Sequence, residues 1–432
     1  MKARRPLLLL TSIYVLNFVD RQLVGILGQP MKEDLGLSDG ELGLLSGLAF
    51  ALFYTALGIP VARIAERRGR RVVIAASLAL WSAMTALCGE ARSFPMLALA
   101  RLGVGLGEAG YVPAAQSLIA EITPSDRRAT ALSVFSLGIP IGMLVGAVAG
   151  GWLAQTLGWR VAFVALGLPG LVLAGLAARL LPEPRHEART SPATPPPALR
   201  EVLVTLWHAP GFGHMAAGAS IASFAGYGLT SFAVPLLTRA YALPLGVAAS
   251  GYGVVAGVAI GVGIGGGGWI TDRLKRHRAG AGGLVAAAGV ILAALLFPFA
   301  LSLHDPLLFA AATLLPLAGA HLYFGPTYGV TVDSVTPHAR AMAIALLVMA
   351  MNAIGLGLGP SAVGLLSDWF AATALPGFAE SCRPAVSAAC RAASASGLTR
   401  ALQADALLYL WAALHFLLAA RALRVQPQSV AR

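Results

Sequence analysis

The sequence predicts an all-α membrane protein with twelve transmembrane helices in two six-helix bundles, and three observations support this fold class. The chain of 432 residues is 57% hydrophobic and only 12% charged, whereas soluble domains carry about 25% charged residues. Apolar runs of at least about 18 residues, the length a helix needs to cross a bilayer, recur from end to end. The two halves of the chain also repeat each other weakly on either side of a polar linker.

Twelve predicted spans account for most of the chain. They are residues 7–28, 40–63, 71–89, 94–121, 127–156, 160–181, 211–238, 245–270, 279–302, 306–333, 338–366 and 401–424. Between the sixth and seventh spans, prolines and charged residues indicate a polar linker. It closes with a short amphipathic helix, about Leu199–Trp207, along the membrane surface. We therefore predict a bundle over 1–181, a cytoplasmic linker over 182–209 and a second bundle over 210–432.

Basic residues are concentrated in alternate short loops, and the formal net charge of the chain is +12. The loop after the second span is rich in arginine, whereas the loop after the first carries four acidic residues against Lys32. The positive-inside rule therefore places both termini in the cytoplasm. Because the positive charge follows the loops, it does not indicate binding to nucleic acid. The first apolar run has no small-residue cleavage site, so no cleavable signal is predicted.

The internal repeat is clearest where a helix ends, the chain turns at proline and a glycine-rich helix opens. Pro113–Gly151 aligns with Pro326–Gly364 at a constant offset, so that Arg127 meets Arg340. A weak repeat is also what a Gly- and Ala-rich membrane composition would produce. Charged turns at matching places favour a true duplication, which in carriers gives two parallel six-helix repeats with a midplane site between them.

The loop between the second and third spans, Ala62-Arg-Ile-Ala-Glu66-Arg67-Arg-Gly69-Arg70-Arg71, resembles the signature Gly-x-x-x-Asp-Arg-x-Gly-Arg-Arg/Lys of the major facilitator superfamily. It departs at Ala62 and Glu66, and Gly268–Arg276 is its counterpart in the second half. The resemblance implies that these loops latch helix ends in one conformation. The gating residues it implies are Glu66, Arg67, Arg70, Arg71, Asp272 and Arg273.

A narrower resemblance joins Leu16-Asn-Phe-Val-Asp20-Arg21, Gly105-Leu-Gly-Glu108-Ala-Gly-Tyr111 and Phe135-Ser-Leu-Gly-Ile-Pro140-Ile-Gly142. Together these segments resemble the spinster family of the superfamily, with Phe18 and Gly110 as departures. The resemblance implies proton-linked export of lysophospholipids or sphingosine-type lipids from a bacterial inner membrane. Asp-Arg in the first helix also occurs in organic-anion and sugar-acid symporters, so proton-coupled symport of small anions stays open as the alternative.

Four charged residues fall where lipid would tolerate none: Asp20, Arg21, Arg101 and Glu108. Each costs roughly 2.5–3.5 kcal/mol at a helix centre on insertion scales. Arg101 and Glu108 are seven residues apart and share a helix face, and the glycines around them leave room for another helix or a ligand. We predict that Arg21 pairs with Glu108 and that Asp20 faces another neighbour, for which Arg101 is the candidate. A movable arginine would let these carboxyls take up and release protons, whereas a static buried ion pair is the structural alternative.

Further candidates for the substrate cavity come from four predicted helices, and each is also explained as a packing residue. They are Tyr111, Gln116, Phe224, Tyr227, Thr230, His321, Tyr323 and Asn352. The second half is read as lacking a mid-membrane carboxylate, because Asp333 and Asp368 fall at span ends. Proton handling is therefore expected in the first half, with apolar walls for an acyl tail in the second.

The remaining signals concern cysteines, cofactors and competing classes of protein. Cys382 and Cys390 lie in the segment 367–399, which the topology places outside, so a disulfide or two free thiols are both open. The sequence shows no Walker loop and no metal-ligand spacing, so no cofactor or metal is expected and a proton gradient is the energy source.

An intramembrane enzyme would need a nucleophile–base pair, and the sequence shows none that can be recognised. The paired signature loops favour alternating access over a channel or a scramblase. The expected partners are the bilayer and a small amphiphilic or anionic substrate, and the expected state is a monomer.

Overall fold

The structure is a computed structural model that describes residues 4–57, 69–124, 127–183, 198–382 and 387–424. Helices dominate these ranges, and the described residues contain no β-strand. In chain order the helices are α1 (Arg4–Leu35), α2 (Asp39–Leu57), α3 (Arg70–Cys88), α4 (Phe94–Glu108), α5 (Tyr111–Ile122), α6 (Arg128–Ser136), α7 (Gly138–Leu157), α8 (Trp159–Leu180), α9 (Leu199–His208), α10 (Phe212–Ala240), α11 (Leu245–Lys275), α12 (Ala281–Ala300), α13 (Pro306–Gly319), α14 (Phe324–Asp333), α15 (Arg340–Met351), α16 (Gly357–Ala374), α17 (Phe378–Ser381) and α18 (Ala388–Arg424).

Eleven helices of the described ranges are long and apolar enough to cross a membrane, when α6–α7, α13–α14 and α15–α16 each count as one span. Each falls on one of the predicted spans. The remaining predicted span, 94–121, is divided into α4 and α5, which are each too short to count alone. The predicted class, an all-α membrane protein, is confirmed.

The last helix begins earlier than the sequence predicted. Helix α18 starts at Ala388 instead of residue 401, and α17 lies between it and the end of α16. The segment 367–399 was expected to be a loop, and this was wrong for its described residues, whereas its placement outside the membrane stays a prediction. Its second part is rich in alanine, the residue with the highest helix propensity, so the helix extends beyond the apolar run that marked its predicted start.

The helix of the linker has the predicted position and amphipathic character. Helix α9 buries Val202 and Leu206 against Ala339, Ala343 and Leu346, while its opposite face is exposed. Its placement along the membrane surface stays a prediction.

Contacts divide the chain into two compact units. The first combines residues 1–192 with 230–254 and 364–397, and the second comprises 193–229, 255–363 and 398–432. These units do not follow the predicted bundle boundaries, because parts of α10, α11, α16 and α18 pack with the first helices. The predicted division at the linker rests on the sequence repeat and stays a prediction.

Candidate functional site

Helix α4 brings Glu108 into the interior of the first unit because glycines let its neighbours approach. A Cβ atom at Gly105 would lie 2.2 Å from the backbone oxygen of Phe50 in α2, and one at Gly107 would lie 2.6 Å from the backbone nitrogen of Trp81 in α3. Such distances leave no room for any side chain but hydrogen. The expectation that these glycines admit a neighbouring helix is confirmed.

Glu108 is the last residue of α4, because the helix breaks at Ala109–Gly110 before α5 begins. A single helix over 94–121 was expected, and this was wrong. Pro113, in the first turn of α5, has no N–H to donate to the carbonyl of Ala109, and its ring crowds that carbonyl. The break therefore follows from proline and glycine just beyond the carboxylate, at a position where a helix end leaves backbone groups unpaired.

The predicted contact between Arg21 and Glu108 is present. The Arg21 Nε donates to Glu108 Oε2 at 2.8 Å, and the Glu108 side chain is fully buried. The guanidinium also lies over aromatic rings, 4.4 Å from the ring centroid of Tyr54 and 5.3 Å from those of Phe50 and Phe18. Cation–π contacts of this kind hold a desolvated arginine without neutralising it.

Asp20 and Arg101 lie beside this pair without forming the pair that was expected. The Arg101 Nε points to the backbone oxygen of Leu45 at 3.5 Å, and its guanidinium lies 5.2 Å from the ring centroid of Phe50. Arg101 therefore faces the backbone of α2, although its charge still acts on both Asp20 and Glu108. The proposed Asp20–Arg101 contact was wrong for this conformation. Gly105 lets α4 lie close to α2, and Arg101 lies in that contact.

Unpaired polar atoms distinguish this cluster, which we call the Glu108 site: Asn17, Asp20, Arg21, Arg101 and Glu108. Every one of these five side chains has at least one buried nitrogen or oxygen without a hydrogen-bond partner. A buried unpaired polar group costs about 1–3 kcal/mol, and such groups are rare in native interiors. The site is therefore not a saturated structural ion pair, and it retains capacity for a proton or a polar ligand group.

The sequence identified some residues of this site and not others. The charges of Arg21 and Glu108 inside apolar runs identified them, but Phe50 and Tyr54 carry no motif and were missed. Asn17 is fully buried, and it lies within the quoted first-helix segment, so its position between Leu16 and Asp20 was available as a signal.

The predicted cavity residues of the second half occupy varied settings. In the second unit, the hydroxyls of Tyr323 and Ser223 are 2.9 Å apart, His321 Nδ1 lies 2.8 Å from the carbonyl oxygen of Leu317, and Asn352 opens a π-helical turn that ends at Leu356. Single π turns inside helices often mark functional positions. Phe224 and Tyr227 are half-buried in this unit, and Thr230 is half-buried in the first.

Tyr111 and Gln116, the first-half candidates, differ in burial. Tyr111 is fully buried, donates its hydroxyl to the Leu10 carbonyl at 2.5 Å, and packs among aromatic rings that include Tyr14 and Trp81. Gln116 is exposed. In this conformation Tyr111 is a packing residue, and a role of either residue with substrate stays a prediction.

Only the end of the signature loop lies within the described residues, and Glu66 and Arg67 lie outside them. The backbone N–H groups of Arg70 and Arg71 donate to the two oxygens of Glu183, at 3.1 and 2.9 Å, and the Arg70 side chain pairs with Glu121. Gly69 precedes them with φ of +94°, and a Cβ there would lie 2.9 Å from Glu183. A carboxylate therefore caps the start of α3, which sequence reasoning missed.

The counterpart loop lies at the end of α11. The Arg273 guanidinium is 4.7 Å from the ring centroid of Trp269. Asp272 lines a cavity of about 740 Å³, where Lys275 pairs with Asp333 at 2.7 Å. The two signature loops thus have different partners, and their roles in gating stay predictions.

A second ionic cluster, unforeseen in the sequence, lies where α1 ends and α2 begins; we call it the Asp39 cluster. The Asp39 carboxylate accepts from both Nη atoms of Arg239, at 2.6 and 2.8 Å, from Lys32 Nζ at 2.7 Å and from the Ser367 hydroxyl at 2.6 Å. Asp368 in turn accepts the backbone N–H of Asp39 at 3.0 Å. Lys32 and Asp39 were read only as loop charges, because the other partners of Asp39, Arg239 and Asp368, are 200 and 329 residues away in the chain.

Cys382 and Cys390 form a disulfide, which decides between the alternatives that the sequence left open. Both are buried with Ala371, Phe378 and Ala393 in a small cluster of the first unit. No group of three or more potential metal ligands occurs in the part of the chain that the structure describes.

Long apolar helices around buried, incompletely paired charges are typical of a membrane transport protein. Comparison with known proteins specifies it further: the model of the Major Facilitator Superfamily matches residues 10–360. The chain belongs to this superfamily, and the fold expected from the signature loop is confirmed.

Three relatives show where in the superfamily the similarity lies. A solved bacterial homologue of the human lysosomal transporter spinster, in an inward-facing and unoccupied conformation, matches with a TM-score of 0.89 and 28% identity over 99% of both chains. An MFS-type efflux pump of Mycolicibacterium smegmatis is 36% identical over 83% of both chains. A Bacillus subtilis protein named "Probable galactarate/D-glucarate transporter" is 31% identical over 43% of this chain and 42% of its own. The resemblance to spinster proteins is therefore confirmed.

Proposed function

We propose that this protein is a proton-coupled secondary transporter that works by alternating access and exports a lipid-like amphiphile of the lysophospholipid or sphingosine-phosphate type. The observation that carries the proposal is the Glu108 site, where Arg21 pairs with one oxygen of a fully buried carboxylate and leaves the other oxygen without a partner. The proton gradient is the energy source, without a cofactor.

Coupling follows from what each protonation state can tolerate. Ionised Glu108 is stable in the interior only while Arg21 stays beside it, because an unpaired buried charge is very costly. Protonated Glu108 no longer needs the arginine, so Arg21 becomes free to bind an anionic headgroup. The Glu108 carboxylate and the anionic substrate thus compete for one guanidinium, so that proton binding at Glu108 and substrate binding at Arg21 are coupled.

Alternating access needs one end of the protein to close while the other opens. The Asp39 cluster ties the α1–α2 turn to α10 and α16 within the first unit, and it supports closure at this end. The positive-inside rule makes this the outer end, with both termini in the cytoplasm of a bacterial inner membrane. Release of substrate would require this cluster to break.

A lipid-like cargo rests on the resemblance to the spinster family, which the structural match to a bacterial spinster homologue supports. The match to an efflux pump favours export. A second candidate, proton-coupled symport of small organic anions or sugar acids, is favoured by the match to the protein named for galactarate and D-glucarate. Two arginines, the partly buried Arg21 and the buried Arg101, would suit such a dianion.

The test is uptake into proteoliposomes of a labelled lysophospholipid beside labelled galactarate, with and without an imposed pH gradient. Saturable, gradient-dependent movement of the lipid alone is expected. Movement of galactarate alone would replace the proposed cargo with the second candidate, and gradient-independent movement of either would remove the proton coupling. Liposomes that contain the Arg21→Ala variant serve as the control, because they keep the protein in the membrane but lose the predicted anion contact.

A further inference from the structure

The interior of the second unit contains a carboxyl group that belongs neither to the Glu108 site nor to the Asp39 cluster. Asp405, in α18, is 3% exposed. The sequence reading held that the second half lacks a mid-membrane carboxylate, but it left out Asp405, which the structure buries. Helix α18 begins at Ala388, so Asp405 lies more than four turns inside the helix instead of at the start of a span.

The surroundings of Asp405 are close-packed and apolar. A Cβ atom at Gly228 in α10 would lie 3.2 and 3.4 Å from the two carboxyl oxygens and 2.6 Å from a methyl of Val363 in α16. One turn further along α18, the ring of Tyr409 stacks on Phe297 of α12. The carboxyl thus lies directly against the backbone of α10.

Nothing in this setting compensates a negative charge. Asp405 Oδ1 has no hydrogen-bond partner, and no charged side chain acts on Asp405 within the described part of the chain. Helix α10 presents glycine, α16 presents valine and α18 itself presents a neutral tyrosine. A carboxylate buried without a partner is avoided by protonation, and ionisable groups inside membrane helices are otherwise paired or functional.

We propose that Asp405 is a second proton-binding site of this transporter, and that its protonation is the condition for α18 to pack against α10 at Gly228. The neutral acid fits the glycine-lined contact, whereas the ionised form requires water or a cation, and hence separation of the two helices. The unpaired Oδ1 can carry the proton, and separation of the two helices would expose this proton to exchange.

The link to transport rests on the proposed function. Helix α10 carries Phe224 and Tyr227, which are predicted cavity residues, within one turn of Gly228. A change in the α10–α18 contact would move them. The second half would then sense protons through α10, while the first half senses them through Arg21 and Glu108.

Infrared difference spectroscopy of the purified, lipid-reconstituted protein tests the site without any substrate. The spectrum of the wild type minus that of Asp405→Asn should show the C=O stretch of a protonated carboxyl at neutral pH, and the band should shift after transfer into D₂O. Asp333→Asn is the matched control: Asp333 is exposed and paired with Lys275, so its removal should subtract a carboxylate band only.

Three results would overturn the proposal: a carboxylate band in the Asp405→Asn difference, no difference at all, or a protonated band that never shifts in D₂O. If Asp405→Asn does not fold, Asp405→Glu keeps the acid, and the band should move in frequency. Failure of proton-linked transport with an intact Asp405 band would remove the proposed function and leave the proton site standing. Proton-linked transport without a protonated Asp405 band would overturn the Asp405 proton site and leave the proposed function standing.

Discussion

The Glu108 site and the Asp39 cluster use the same chemistry, a buried carboxylate with arginine, to opposite effect. Asp39 receives four side-chain hydrogen bonds, from Arg239, Lys32 and Ser367. At the Glu108 site, every member retains a buried polar atom without a partner. A saturated cluster stabilises one arrangement of helices, whereas an unsaturated one is suited to changing its partner or its proton. The difference favours a fixed helix contact at the Asp39 cluster and a changeable, proton-binding contact at the Glu108 site.

The largest effect on stability is expected from Asp39→Asn. Loss of the charge leaves Arg239 and Lys32 buried with an incomplete counter-charge, and removal of one partner from a buried pair costs about 3–5 kcal/mol. Thermal unfolding in detergent should show a lower Tm, while the pH profile of transport keeps its shape. A shifted pH profile with an unchanged Tm would place the proton switch here and break the comparison.

The reciprocal change is Glu108→Gln, which keeps the side-chain shape and removes the titrating group. Loss of coupling between proton and substrate should lower gradient-driven transport to the rate measured without a gradient. Substrate exchange at equal pH on both sides should persist, and the Tm should stay near that of the wild type. An unchanged dependence of the transport rate on pH would show that Glu108 does not carry the proton.

Close packing behind the Glu108 site is tested by Gly107→Ala. The added methyl would lie 2.6 Å from the backbone nitrogen of Trp81, and overpacking of this kind costs about 1–3 kcal/mol. The matched control is Gly175→Ala in α8, where a Cβ would meet nothing within 4 Å. Equal Tm values for the two variants would contradict the close approach of α4 to α3.

The smallest effect is expected from Asp34→Asn. Asp34 pairs with Arg160, but both side chains are more than 40% exposed. Exposed pairs contribute about 0–1 kcal/mol, so the Tm should barely change. A loss as large as that of Asp39→Asn would mean that burial does not separate the strong cluster from the weak pair.

The sequence predicted the fold and the centre of the Glu108 site well, because charged residues are rare inside membrane-spanning runs and are therefore easy to identify. Apolar runs revealed the spans, and Arg21 and Glu108 stood out as charges inside them. Arg70 and Arg71 of the signature loop were also recognisable from their spacing. Glu183, which accepts from their backbone N–H groups, was not.

Features that depend on long-range packing could not be predicted in this way. Phe50 and Tyr54 are ordinary apolar-run residues until α2 folds against Arg21. Arg239 and Asp368 acquire meaning only beside Asp39, from which they are separated by 200 and 329 residues. Asp405 lay close to the predicted start of the last span at residue 401, because the alanine-rich first part of α18 was not counted with that span.

Proton movement that accompanies substrate movement tests the central claim most directly. Proteoliposomes with a trapped pH-sensitive dye would receive lysophospholipid without any imposed gradient, for the wild type and for Glu108→Gln. The account predicts a saturable pH change with the wild type, and substrate exchange without a pH change with the variant. Equal pH changes from both proteins, or lipid movement by the wild type with no pH change, would contradict it.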